Sequence, residues 1–101
     1  MKLKQDKFRK NRGGYSRLLD IFCSRCGTYL FSYQKDGPGI LKRLYMDRII
    51  SSVTPIKEKS ELRCKGCGEL LGVPMIYEKE KRAAIRLFAG AIVKKIQKAD
   101  I

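Results

Sequence analysis

Apolar and polar residues divide the chain into short segments. Residues 17–23, RLLDIFC, and 28–34, TYLFSYQ, read as two strands on either side of a tight turn. In the second, alternation puts Tyr29, Phe31 and Tyr33 on one face. This predicts aromatic packing over the strands or, if that face is wet, a platform on which nucleic-acid bases stack. ELRC at 61–64 reads as a short strand and LLGVPMIY at 70–77 as a longer one, while 51–60, SSVTPIKEKS, reads as a polar loop.

The middle of the chain, QKDGPGILKRLYMDRII, suggests a different element. Asp36-Gly37-Pro38-Gly39 is a turn, and a helix capped by Asp36 or Gly39 is expected to run to about Ile50. On that helix Ile40, Leu41, Leu44, Tyr45 and Ile49 form an apolar arc, with Lys42 at its polar edge and Arg43 and Asp47 facing away. Arg48 falls in the middle of the arc. A buried guanidinium needs a partner or a route to water. The candidates are a carboxylate such as Asp20 or Asp36, or a phosphate held together with Lys35 beside the turn.

Towards the C-terminus, Ala83, Ala84, Leu87, Phe88, Ala91, Ile92 and Ile96 match a helical stripe. Gly90, the β-branched pair Ile92–Val93 and the need of the MIY strand for a partner favour a strand over 83–89, with EKEKR as a charged hairpin connection. The expected fold is thus a small α+β domain of knuckles and hairpins with one central helix.

Charge changes this picture at the N-terminus. Residues 1–14, MKLKQDKFRKNRGG, carry six cations against Asp6 and no apolar period. They read as a flexible basic arm, with residues 15–101 as the single folded domain. The formal net charge of +13 on 101 residues favours a polyanionic partner, nucleic acid ahead of a membrane surface. Arg9, Lys10 and Arg12 in the arm, and Lys35, Lys42, Arg43 and Arg48 around the central helix, are the candidate nucleic-acid contacts. The basic start is not followed by an apolar stretch, and the longest apolar run, Leu87 to Val93, falls short of the ~20 residues of a membrane span. A cytoplasmic protein with no membrane partner is expected.

The four cysteines carry the chemistry. They lie in two echoes, CSRCG at 23–27 and CKGCG at 64–68. Two residues between cysteines let one turn aim both sulfurs at one point, and the following Gly27 or Gly68 permits a positive φ. Two such half-sites supply the four ligands of a closed tetrahedral site, and with no histidine in the chain it must be all-cysteine. Disulfides rarely persist in a reducing cytosol, and strand-like sequence after each pair disfavours a thioredoxin-like redox site, which needs a cysteine opening a helix. Four thiolates and one Zn²⁺ would lower the protein's charge from +13 to about +11. Arg25, Arg63 and Lys65, in or beside the knuckles, offset that local anion.

The paired CxxCG knuckles beside apolar strands resemble zinc ribbons, and equally rubredoxin, whose four cysteinates hold iron. The resemblance covers about a third of the chain. It implies one ion on Cys23, Cys26, Cys64 and Cys67, zinc being favoured because rubredoxins are typically acidic and basic zinc ribbons are common in transcription and ribosomal proteins. A closed four-thiolate site has no open position for water, and the chain has neither histidine nor a phosphate loop, so no enzymatic activity and no small-molecule substrate are expected. The expected role is binding of RNA, DNA or a ribonucleoprotein. A zinc-stabilised adaptor in a protein assembly and a rubredoxin-like iron electron carrier are the alternatives.

Overall fold

The computed structural model describes residues 6–54 and 56–97. A one-turn helix, α1 (Lys7–Asn11), leads into eight strands: β1 (Ser16–Cys23), β2 (Tyr29–Asp36), β3 (Arg43–Tyr45), β4 (Ile49–Ser52), β5 (Leu62–Arg63), β6 (Leu70–Tyr77), β7 (Arg82–Leu87) and β8 (Ile92–Ile96). They form two four-stranded sheets, in the orders β4-β2-β1-β8 and β3-β7-β6-β5. All pairings are antiparallel. No helix among the described residues is long and apolar enough to cross a membrane.

The core lies between the sheets. In the first, Leu19 pairs with Tyr33 and Ile21 with Phe31, so these four share one face, and all are buried. The second contributes Leu44, Leu62, Leu71 and Ile85 to the same cluster. The Tyr33 hydroxyl accepts a hydrogen bond from the Tyr45 backbone N–H at 2.8 Å, so a core aromatic also links β2 to β3. Phe31 and Tyr33 are therefore packing residues, while Tyr29 is partly buried and meets Phe22 edge to face on the sheet's other side.

The α+β expectation is overturned. The described residues hold no helix of seven or more residues, and the segment expected as a central helix follows an extended path. Gly37 and Gly39 adopt φ of 71° and 106°, residues 40–42 are irregular, β3 pairs with β7, a 3-10 turn spans Met46–Arg48, and β4 pairs with β2. Tertiary pairing defeats local periodicity here: a helix of about twelve residues is marginal alone, whereas the extended path buries Leu44 and Tyr45 against β7. It also satisfies Arg48. That side chain is 1% exposed, and it reaches Asp36 at 2.8 Å, Asp6 at 2.5 Å and Asp47 at 3.5 Å.

The strands flanking the knuckles and the hairpin that follows them match the sequence reading, whereas β8 was not anticipated and β4 extends into the stretch read as a loop. The strand leaving the second knuckle spans Leu70–Tyr77, and residues 82–87 return as its hairpin partner. The N-terminal segment is tied to this body. Arg12 forms an ion pair with Glu80 at 2.8 Å, and the Arg82 guanidinium is sandwiched between the Phe8 and Tyr45 rings at 3.9 and 3.8 Å. Residues 1–5 of the basic arm lie outside the described residues, as does the Arg9 side chain.

Candidate metal centre and basic groove

The two CxxCG segments fold as near-copies of one turn. In the first, the Cys23 N–H donates to the Thr28 carbonyl at 2.9 Å and the Gly27 N–H to the Cys23 carbonyl at 2.8 Å. In the second, the Cys64 N–H donates to the Glu69 carbonyl and the Gly68 N–H to the Cys64 carbonyl, both at 2.9 Å. Gly27 and Gly68 have φ of 77° and 76°, the positive φ that a glycine after each pair permits.

The first knuckle joins β1 to β2 and the second joins β5 to β6, so each sheet contributes one knuckle. They meet closely. A Cβ on Gly66 would collide with the Thr28 hydroxyl and come within 3.3 Å of the Cys26 sulfur. Cys23 and Cys64 are buried, while Cys26 and Cys67 are exposed at the tip.

All four sulfurs lie within 4.8 Å of one another. The Cys23–Cys67 separation is 3.7 Å and the Cys26–Cys64 separation 3.5 Å. A tetrahedron of sulfurs each 2.3 Å from a central ion has edges of about 3.8 Å, whereas a disulfide requires about 2.05 Å. The residues therefore fit a four-thiolate metal ion, zinc and iron alike.

The two exposed thiols sit in unlike electrostatic surroundings. The Thr28 hydroxyl and backbone hydrogen bond to the Cys26 sulfur, drawing that thiol down to about 6. Cys67 moves oppositely, to about 12. A Glu69 backbone hydrogen bond favours its thiolate, but burial and the three neighbouring sulfurs outweigh it. Around them, Arg25 pairs with Glu69 across the knuckles at 2.6 Å, and Arg63 reaches Glu61 and the Gly68 carbonyl.

The candidate nucleic-acid contacts divide into two groups. Lys35, Lys42 and Arg43 line one groove of about 600 Å³ together with Arg12 and Arg48. Arg12 and Arg48 face it already engaged by carboxylates. Lys10 is exposed on α1, away from that lining. A second groove of about 660 Å³ shares Lys42 and Arg43 and adds Arg86 and Lys94. Sequence reading missed these two. Arg86 lies opposite Arg43 in the β3–β7 pairing, a contact across more than forty residues; the strand expected over 83–89 contains Arg86, but the helix expected for residues 39–50 hid its partner.

No protein-family model, curated protein or solved structure matches the chain. The site therefore rests on its own geometry.

Proposed function

We propose that this protein is a non-catalytic, zinc-stapled binder of nucleic acid or of a ribonucleoprotein. The observation that carries this reading is the convergence of four sulfurs, two from each sheet, within 4.8 Å. Cys23, Cys26, Cys64 and Cys67 would hold one ion. Four thiolates leave no position for water, which suits a structural centre rather than a hydrolytic one. The ion would join the sheets at one end and neutralise part of the thiolate charge. Zinc is preferred to iron because the chain's +13 charge departs from the acidic rubredoxin pattern.

That same charge, with Lys35, Lys42 and Arg43 on one groove, supports a polyanionic partner. Titration of labelled RNA and DNA at several salt concentrations tests the binding. The logarithm of affinity should fall linearly with the logarithm of salt, by ~0.7 per phosphate contact on single strands and ~0.9 on duplex DNA. Visible absorption of the purified protein would instead favour the iron reading. Absence of binding at low salt would favour the adaptor reading, which draws support from the edge strand β8, where Val93 and Ile96 are 51% and 63% exposed.

A further inference from the structure

The inner face of the first sheet does not end where the core ends. Leu19 and Ile21 pair with Tyr33 and Phe31 beneath the second sheet. On this face the next pair along is Arg17 with Lys35, and Ile21's partner on the other side is Lys94. Arg17 and Lys94 are exposed. The sheet thus carries cations from three adjacent strands on a face that its partner sheet leaves uncovered.

The opposite wall comes from residues 40–43 and β7, with Lys42, Arg43 and Arg86. Among the described residues, none of Lys35, Lys42, Arg43, Arg86 and Lys94 forms an ion pair. The acid lining these grooves is Asp36, and Arg48 already engages it at 2.8 Å. Two of the cations are held in place. The Arg43 guanidinium lies 4.2 Å from the Tyr77 ring centroid, and the Lys35 ammonium donates to the Gly37 and Pro38 carbonyls at 3.1 and 3.2 Å. Burial first, then repulsion from Lys94, Arg17 and Arg12, lowers the Lys35 pKa from its usual value, so an incoming anion would relieve existing repulsion.

The floor is not polar. Ile40 is 76% exposed and Phe88 is 40% exposed, and both line the groove among these cations. Bare apolar and aromatic surface between unpaired cations matches a ligand with phosphates along its edge and unpaired bases to stack. A duplex offers phosphates but hides the faces of its bases within the stack.

We infer that the groove between β8 and the 40–43 segment binds single-stranded nucleic acid, with Lys42, Arg86 and Lys94 on the phosphates and Phe88 against a base. This rests on the nucleic-acid reading above and gives it a place and a strand preference. The test is fluorescence anisotropy of the zinc-loaded full chain with a labelled single-stranded RNA and with a duplex of equal length. The variants are Lys42→Glu/Arg86→Glu, Phe88→Ala, and the control Lys57→Glu/Lys79→Glu at exposed positions outside the groove.

Expected are tighter binding of the single strand and a loss of about tenfold or more in the groove pair, with a salt slope shallower by ~0.7 per lost contact. Phe88→Ala should lose about fivefold or more in affinity without a change of slope. The control should lose markedly less than the groove pair, and all variants should keep wild-type melting temperature and metal content.

Equal losses in groove and control variants would overturn the groove while leaving nucleic-acid binding intact. Duplex bound as well as the single strand would overturn the strand preference. A wild-type chain that retains polyglutamate but no nucleic acid would overturn both, in favour of an acidic protein partner.

Discussion

The Arg48 Nε donates to Asp36 Oδ2 at 2.8 Å, with the two side chains 1% and 4% exposed. Asp36 also accepts from the Ser16 hydroxyl at 2.6 Å and the Gln34 amide at 2.9 Å. The same guanidinium reaches Asp6 and Asp47. One arginine thus ties the end of β2 to the 3-10 turn and to the N-terminal segment. Arg48→Met would leave Asp36 buried without its counter-charge and should cost about 3–5 kcal/mol, whereas Arg48→Met/Asp36→Leu should recover part of that loss. Denaturant unfolding of the two variants checks it. Equal stability of Arg48→Met and wild type would refute the buried-pair account.

This pair gives the fold an acid-sensitive component. Burial works to raise the Asp36 pKa, but hydrogen bonds from Ser16, Gln34 and Arg48 outweigh it and hold the carboxyl below its ordinary 3.8. Glu80 is held below its ordinary 4.5, chiefly by its hydrogen bond to Arg12. A carboxyl whose folded pKa is depressed contributes stability that is complete above its unfolded value and lost as pH falls through the folded one. Melting temperature should therefore drop as pH falls below about 4. Protonation of metal-bound thiolates adds to that drop, so the comparison with Arg48→Met/Asp36→Leu isolates the Asp36 share. The double variant should lose less stability over the same pH interval.

The N-terminal segment is predicted to contribute to stability as well as charge. Deleting residues 1–12 removes Asp6 from Arg48, Arg12 from Glu80 and Phe8 from the face of Arg82. The melting temperature should fall by about 5 °C or more, the shift expected for roughly 1 kcal/mol in a domain of this size. Lys10→Ala, which touches only an exposed side chain of α1, should leave it unchanged. Thermal scans of both proteins decide whether these contacts or the segment's charge matter to the fold.

The knuckles were legible in the sequence because their requirements are local. A CxxCG turn needs its cysteines at a fixed spacing and a glycine at positive φ, and Gly27 and Gly68 meet that need within five residues each. The strands beside them were legible for the same reason, through alternation at Leu19, Ile21, Phe31 and Tyr33. The 39–50 segment was not. Its apolar residues happen to satisfy a helical arc, and the contacts that decide its shape lie far away, at Ile85 for Leu44 and at Asp36 and Asp6 for Arg48. The one discordant signal was Arg48 itself, a charge that a helical stripe could not have satisfied internally. Lys94 and Arg86 joined Lys42 in a groove for an equally non-local reason: β3–β7 pairing sets Arg86 beside residues 42–43, and the packing of one sheet on the other brings Lys94 to them.

Close packing of the knuckles makes Gly66 more than a spacer. Gly66→Ala would drive a methyl group into Thr28 and the Cys26 sulfur, so the second knuckle should shift and hold its ion less tightly. Gly68→Ala, by contrast, costs about 1–2 kcal/mol of backbone strain at φ 76° without a neighbouring clash. Competition with a chromogenic chelator should show faster metal loss from Gly66→Ala than from Gly68→Ala. The reverse order would mean that the inter-knuckle contact is not tight in solution.

The most direct measurement is the metal content of the purified chain by elemental analysis, joined to its melting temperature before and after chelation. One zinc per chain is predicted, with loss of the cooperative transition on chelation and after Cys64→Ser, because structural zinc contributes ~10–16 kcal/mol where a whole domain has only about 5–15 to lose. A chain that carries no metal, or that melts at the same temperature once stripped, would contradict the claim that Cys23, Cys26, Cys64 and Cys67 join the two sheets through one ion.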